Sequence, residues 1–150
     1  MKKTSFLIAA TLGLGFALPA FAIEDAGTIK TVQGSVSVLR AGQKLAAAPG
    51  FKVQAADKVT TGADGSVGLT LRDNTMLSAG PNSSLSLDKF AFNPTTHEGA
   101  LDASLKRGTL AVISGKIAKA SPDAVNFRTN SVTLGVRGTE FIIEANGQDD

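Results

Sequence analysis

The sequence predicts an all-β chain, an antiparallel solenoid-like or rolled β-sandwich of short strands, forming one domain behind a leader. Three observations point there. Apolar residues recur at every second position in short runs, which gives a strand one buried and one wet face. Glycines (Gly27, Gly34, Gly42, Gly50, Gly62, Gly65, Gly80, Gly108 and Gly115) separate those runs at short intervals. Segments with helical composition are too short and end at proline. Short strands with frequent turn signals suit a sandwich, barrel or solenoid better than a parallel α/β sheet.

Residues 1–22 form a unit of their own. Lys2 and Lys3 precede an uncharged apolar run at 6–18, Pro19 breaks it, and Ala20-Phe21-Ala22 supplies the small residues of a cleavage site. That is the three-part pattern of a secretory signal peptide. The run falls short of the roughly 20 apolar residues that a permanent span requires. The expectation is export to the periplasm or beyond, with no permanent membrane anchor. Residues 23–145 then form the β domain and 146–150 a flexible tail.

Alternation marks strands at 28–32, 35–39, 66–71, 84–87, 109–113 and 125–128. Residues 44–48 and 117–120 contain alanine and lysine, but Pro49 and Pro122 follow them, and both read as connections. Residues 93–99 form the longest polar loop. Asp73-Asn74 and Asp64-Gly65 are hairpin signals. The phenylalanines at 51, 90, 92, 127 and 141 read as core, because buried phenylalanine dominates core area.

Composition narrows the function. Without Lys2 and Lys3 the 15 basic residues become 13, equal to the 13 acidic ones. Only Lys106 and Arg107 are adjacent in the domain, so the concentrated basic footprint that nucleic acid requires is missing. The chain has no cysteine, which excludes a disulfide framework, a lipid-bearing cysteine and a thiol nucleophile. Its single histidine, His97, sits beside Glu98 in the polar loop. Asp57, Asp64, Asp73, Asp88 and Asp102 all lie at turns or strand ends, where aspartate serves backbone hydrogen bonding. No catalytic constellation, metal site or cofactor site is expected, and the chain reads as non-enzymatic.

One segment is far more specific. Gly135-Val136-Arg137-Gly138-Thr139-Glu140-Phe141, led in by 127–134, resembles the closing signature of the FecR domain family. Thr31-Val32-Gln33-Gly34-Ser35-Val36-Ser37-Val38 is similar to the family's opening strand pair. Ala56-Asp57-Lys58-Val59-Thr60-Thr61-Gly62 resembles a family turn in which glycine is common at the place of Ala56. Leu69-Thr70-Leu71-Arg72-Asp73-Asn74-Thr75 resembles the central hairpin, with Asn74 in place of the usual glycine. Leu105-Lys106-Arg107-Gly108-Thr109-Leu110 resembles the strand pair before the signature. The resemblance covers about 28–143.

The signature also has a physical reading. Gly135 and Gly138 allow tight turning or close backbone approach on either side of Val136-Arg137. Arg137, in an apolar neighbourhood, needs a carboxylate, and Asp57, Asp73 and Glu140 are the candidates. The signature is therefore expected to be structural.

The family is known from inner-membrane regulators that restrain a sigma factor and sense an outer-membrane transporter. The leader reading leaves no cytoplasmic helical segment or retained span of that architecture to expect, so anti-sigma activity is not carried over. The resemblance implies a stand-alone exported domain that acts as an interaction, sensing or scaffold module. Its expected partner is an envelope protein, bound through an exposed strand edge. Glycan or envelope-polymer binding is the alternative, weakened because the chain has no tryptophan or tyrosine to stack on sugars.

Overall fold

The computed structural model describes residues 17–19, 23–136 and 139–147. The charged start, most of the apolar run and the cleavage site of the expected leader lie outside these residues, as do Arg137 and Gly138.

Among the described residues, twelve strands and one short helix follow in chain order. They are β1 (Asp25–Gln33), β2 (Val36–Arg40), β3 (Gln43–Ala46), β4 (Lys52–Gln54), β5 (Lys58–Thr61), β6 (Ser66–Leu71), β7 (Met76–Ala79), β8 (Ser84–Phe92) and β9 (Gly99–Ile113). Helix α1 (Lys116–Ala120) and a 3₁₀ turn (Pro122–Ala124) lead to β10 (Val125–Arg128), β11 (Thr133–Gly135) and β12 (Glu140–Ala145). The chain is all-β, as the alternation predicts.

Strand β9 organises the molecule. Its first half pairs with β8 through Leu105 to Gly99, and its second half pairs with β7 through Leu110 to Ile113. One continuous sheet therefore runs β3-β2-β5-β8-β9-β7-β6-β1-β4 and curls over on itself. Gly108 sits at the changeover with φ of +92°. A Cβ there would lie 2.1 Å from the Ser83 Oγ and 2.5 Å from its Cα, so only glycine fits this close crossing. The result is a rolled sandwich. Val53, Leu69 and Leu77 from one limb meet Val59, Leu85 and Leu87 from the other around a common point.

The core is the sum of the inward positions. Val67, Leu69 and Leu71 alternate along β6, and Leu101, Ala103 and Leu105 along β9, all buried. Phe127 is the largest fully buried side chain and meets Phe141 edge-on, with ring centroids 5.4 Å apart. Burying a side chain of this size is worth about 1.5–3 kcal/mol.

Several elements differ from expectation for identifiable reasons. Residues 44–48 are no simple connection, since β3 pairs with β2 from Arg40–Gln43 to Ser37–Ala46. The two-residue turn Ala41-Gly42 has positive φ at both positions, the geometry of a type I′ hairpin, but lacks the asparagine or aspartate that usually announces it. Residues 117–120 do form a helix, short but anchored by the buried Ile117. It lies in the crossover that lets β10 run parallel to β9, an exception to the antiparallel pattern. Strands β8 and β9 extend beyond 84–87 and 109–113, because they form one long bulged ladder through Phe92–Gly99.

Of the two hairpin signals, Asp73-Asn74 closes β6 onto β7, whereas Asp64-Gly65 does not make a hairpin. Its turn carries the chain from β5 in one limb to β6 in the other, strands that do not pair with each other. Loop 93–99 caps the β8–β9 hairpin, where the Asn93 Oδ1 accepts hydrogen bonds from the amides of Thr95 and Thr96.

Candidate functional site

The candidate catalytic groups are spread apart. Asp57 accepts two hydrogen bonds from Arg40, and Asp73 accepts from the Thr75 amide and hydroxyl and from the Ile117 amide. The Ser104 hydroxyl donates to Asp88, Asn126 donates to Asp102, and the Ser35 amide donates to Asp64. Each carboxylate ties one strand or turn to another. His97 is exposed in its loop and stacks on Phe92. Among the described residues, no three His, Asp or Glu side chains converge to hold a metal ion.

The acids proposed as partners of Arg137 are thus placed, while Arg137 itself lies outside the described residues. Asp57 and Asp73 are buried and bonded as above, and Glu140 is exposed. Gly138 also lies outside. Gly135 requires neither tight turning nor close approach: a Cβ would meet nothing within 4 Å, and its φ is not positive. That reading of Gly135 is corrected. Ala56 and Asn74, where the resemblance leads one to expect glycine, have φ of +72° and +68°, in the left-handed region.

The rest of the signature builds an edge strand. Val136 is buried in the core, and Phe141 packs on Phe127. The Ser114 amide donates to the Thr139 carbonyl at 2.7 Å, which fixes Thr139 and Ser114 as a hydrogen-bonded pair. In an antiparallel ladder such pairs alternate. Phe141, Ile143 and Ala145 therefore direct their amides and carbonyls toward β9, while Glu140, Ile142 and Glu144 direct theirs away from the sheet. β12 pairs with β9 alone, so among the described residues no strand covers that side.

The other outermost strands, β3, β4 and β11, have three or four residues each, and β12 has six. Ile142 is 69% exposed, and its outward neighbours across the sheet are Ala111 and Ser78. One row along, Ile113 and Met76 are also exposed beside Glu140. Ile142, Ala111, Ile113 and Met76 thus form an apolar patch that runs inward from the edge on the Glu140 side. Neither Glu140 nor Glu144 forms an ion pair with the described residues.

A cleft of about 450 Å³ is lined by residues of β2, β3 and β5. The Ser37–Thr60 hydroxyl pair, Lys44 and Arg107 line it. Of the expected tail, Gly147 packs against the Lys106 carbonyl, and 148–150 lie outside the described residues.

No curated protein and no solved structure matches the chain. The family described as FecR protein matches residues 57–150. The match begins at the buried Asp57 and takes in the central hairpin, the whole of β9 and the edge strand. The opening strands precede it, yet β1 and β2 pair directly with β6 and β5 inside it. With well over half its length matched and its earlier strands built into the same sheet, the chain belongs to the FecR family.

Proposed function

We propose that this FecR domain is a non-catalytic protein-interaction module that works outside the cytoplasm, in the cell envelope. The observation that carries this reading is the uncovered edge of β12. Glu140, Ile142 and Glu144 offer outward main-chain donors and acceptors along a stable scaffold, which is the requirement for strand addition. The scattered, structurally committed carboxylates support a role without chemistry. The leader pattern supports export, and no helix among the described residues is long and apolar enough to cross a membrane.

The test is crosslinking in intact cells of the host, using the exported protein with a C-terminal tag, followed by mass spectrometry. One dominant envelope protein is the expected result. Recovery of uncrosslinked protein with polysaccharide alone would overturn it in favour of a second reading, envelope-polymer binding. That reading draws on the cleft, where the Ser37 and Thr60 hydroxyls and the Lys44 cation suit an acidic sugar. Loss of retention on adding competing polysaccharide would be its signature.

A further inference from the structure

From the charge pattern of β12 we infer the chemistry of its partner: an extended segment with an apolar residue flanked, two positions to either side, by lysine or arginine. The inference rests on the interaction-module reading and specifies its site. On the outer face the strand reads Glu140, Ile142, Glu144. A strand added along the free side places side chains directly opposite these, with Cβ atoms about 4.5–5.5 Å apart. The residue facing Ile142 extends the apolar patch that Ile142 forms with Ala111 and, one row along, Ile113 and Met76. The residues facing Glu140 and Glu144 meet two carboxylates that lack ion-pair partners among the described residues. Because the pattern is symmetric about Ile142, the partner's orientation does not change its chemistry.

The same carboxylates argue against a second copy. Antiparallel β12–β12 pairing centred on Ile142 sets Glu140 opposite the other copy's Glu144 at both ends. Parallel pairing in register sets each glutamate on its own counterpart. Like charges directly opposite are destabilising, and charge on an edge strand is a recognised guard against self-pairing. The glutamates thus exclude one partner and select another.

The amide of Ile142 offers a clean test. It points away from β9, so proline there removes a donor that only an added strand uses, and proline is tolerated on such an edge. The probe is a labelled heptapeptide, threonine–lysine–threonine–valine–threonine–lysine–threonine, followed by fluorescence anisotropy. A control peptide carries glutamate at both lysine positions. The lysine peptide is expected to bind at least tenfold more tightly than the control. Ile142→Pro should abolish binding with the circular dichroism spectrum retained. Glu140→Lys with Glu144→Lys should reverse the preference between the two peptides. Equal binding of both peptides, or none, overturns the inference, as does a dimer in sedimentation that Ile142→Pro dissolves.

Photo-crosslinking residues at 142 on β12 and at 44 on β3 separate the two levels of the claim. An envelope adduct from position 44 alone keeps the interaction module but removes its site from β12. Adducts from neither position, in a chain that also fails bulk crosslinking, overturn the module itself.

Discussion

Arg40 and Asp57 form a two-pronged ion pair, with Nε to Oδ1 at 2.9 Å and Nη2 to Oδ2 at 2.7 Å. It links the end of β2 to the turn before β5. The Arg40 guanidinium also donates to the Lys52 carbonyl and lies over the Phe51 ring. The partners are unequally buried: the Asp57 side chain is 2% exposed and the Arg40 side chain 31%.

That inequality predicts unequal mutants. Arg40→Ala strands a buried carboxylate on the Gln54 amide alone and should cost about 3–5 kcal/mol. Asp57→Asn leaves a guanidinium that can turn to water and should cost about 1–3 kcal/mol. Urea denaturation measures both, and equal losses would refute the account. The Asp57 hydrogen bond outweighs the opposing effect of burial and, with the charge of Asp57, holds the Arg40 guanidinium above its ordinary pKa. Stability from this shift is fully present below the ordinary arginine range and is lost only as pH rises through the raised value. The Arg40 ionisation therefore adds no pH dependence near neutrality.

Gly108→Ala should be severely destabilising. It combines left-handed backbone strain with overlap against Ser83, each worth about 1–3 kcal/mol. Ser83→Ala in the same chain should not rescue it, since the Ser83 Cα is itself 2.5 Å from the added atom. A single-mutant melting temperature within two degrees or so of the parent would show that β9 can cross between limbs without glycine, because 1 kcal/mol shifts a domain of this size by about 3–6 °C.

Asp73→Ala removes the acceptor of two buried amides and the Thr75 hydroxyl. Each orphaned donor costs about 1–3 kcal/mol, with partial relief if water enters. Hydrogen exchange should rise at Thr75 and Ile117 before it rises elsewhere. Uniform acceleration across the domain would mean that the aspartate supports global stability only.

Ala56→Gly should stabilise the protein by about 0.5–1 kcal/mol. An L-residue at positive φ costs roughly 1–2 kcal/mol, more than the chain entropy that glycine adds. The thermal midpoint checks this, and a fall on substitution would show that the Ala56 methyl makes a compensating contact.

The sequence alone determined the strand class, because alternation at 66–71 or 125–128 reports directly which side chains face a core. It also carried the family signature, the turn at Asp73-Asn74 and the scarcity of chemistry. The two-limb roll was not legible. Nothing local distinguishes the Asp64-Gly65 turn, which changes limbs, from one that closes a hairpin, and Gly108 reads like any other strand-end glycine. The partner of Asp57 was equally hidden: Arg40 lies seventeen residues away and meets it only after β2 and β5 pair. The edge on β12 is tertiary for the same reason. Period two tells which face of Glu140–Ala145 is wet, but which side of a strand stays unpaired depends on where its neighbours end, and pairing order is fixed by the fold as a whole.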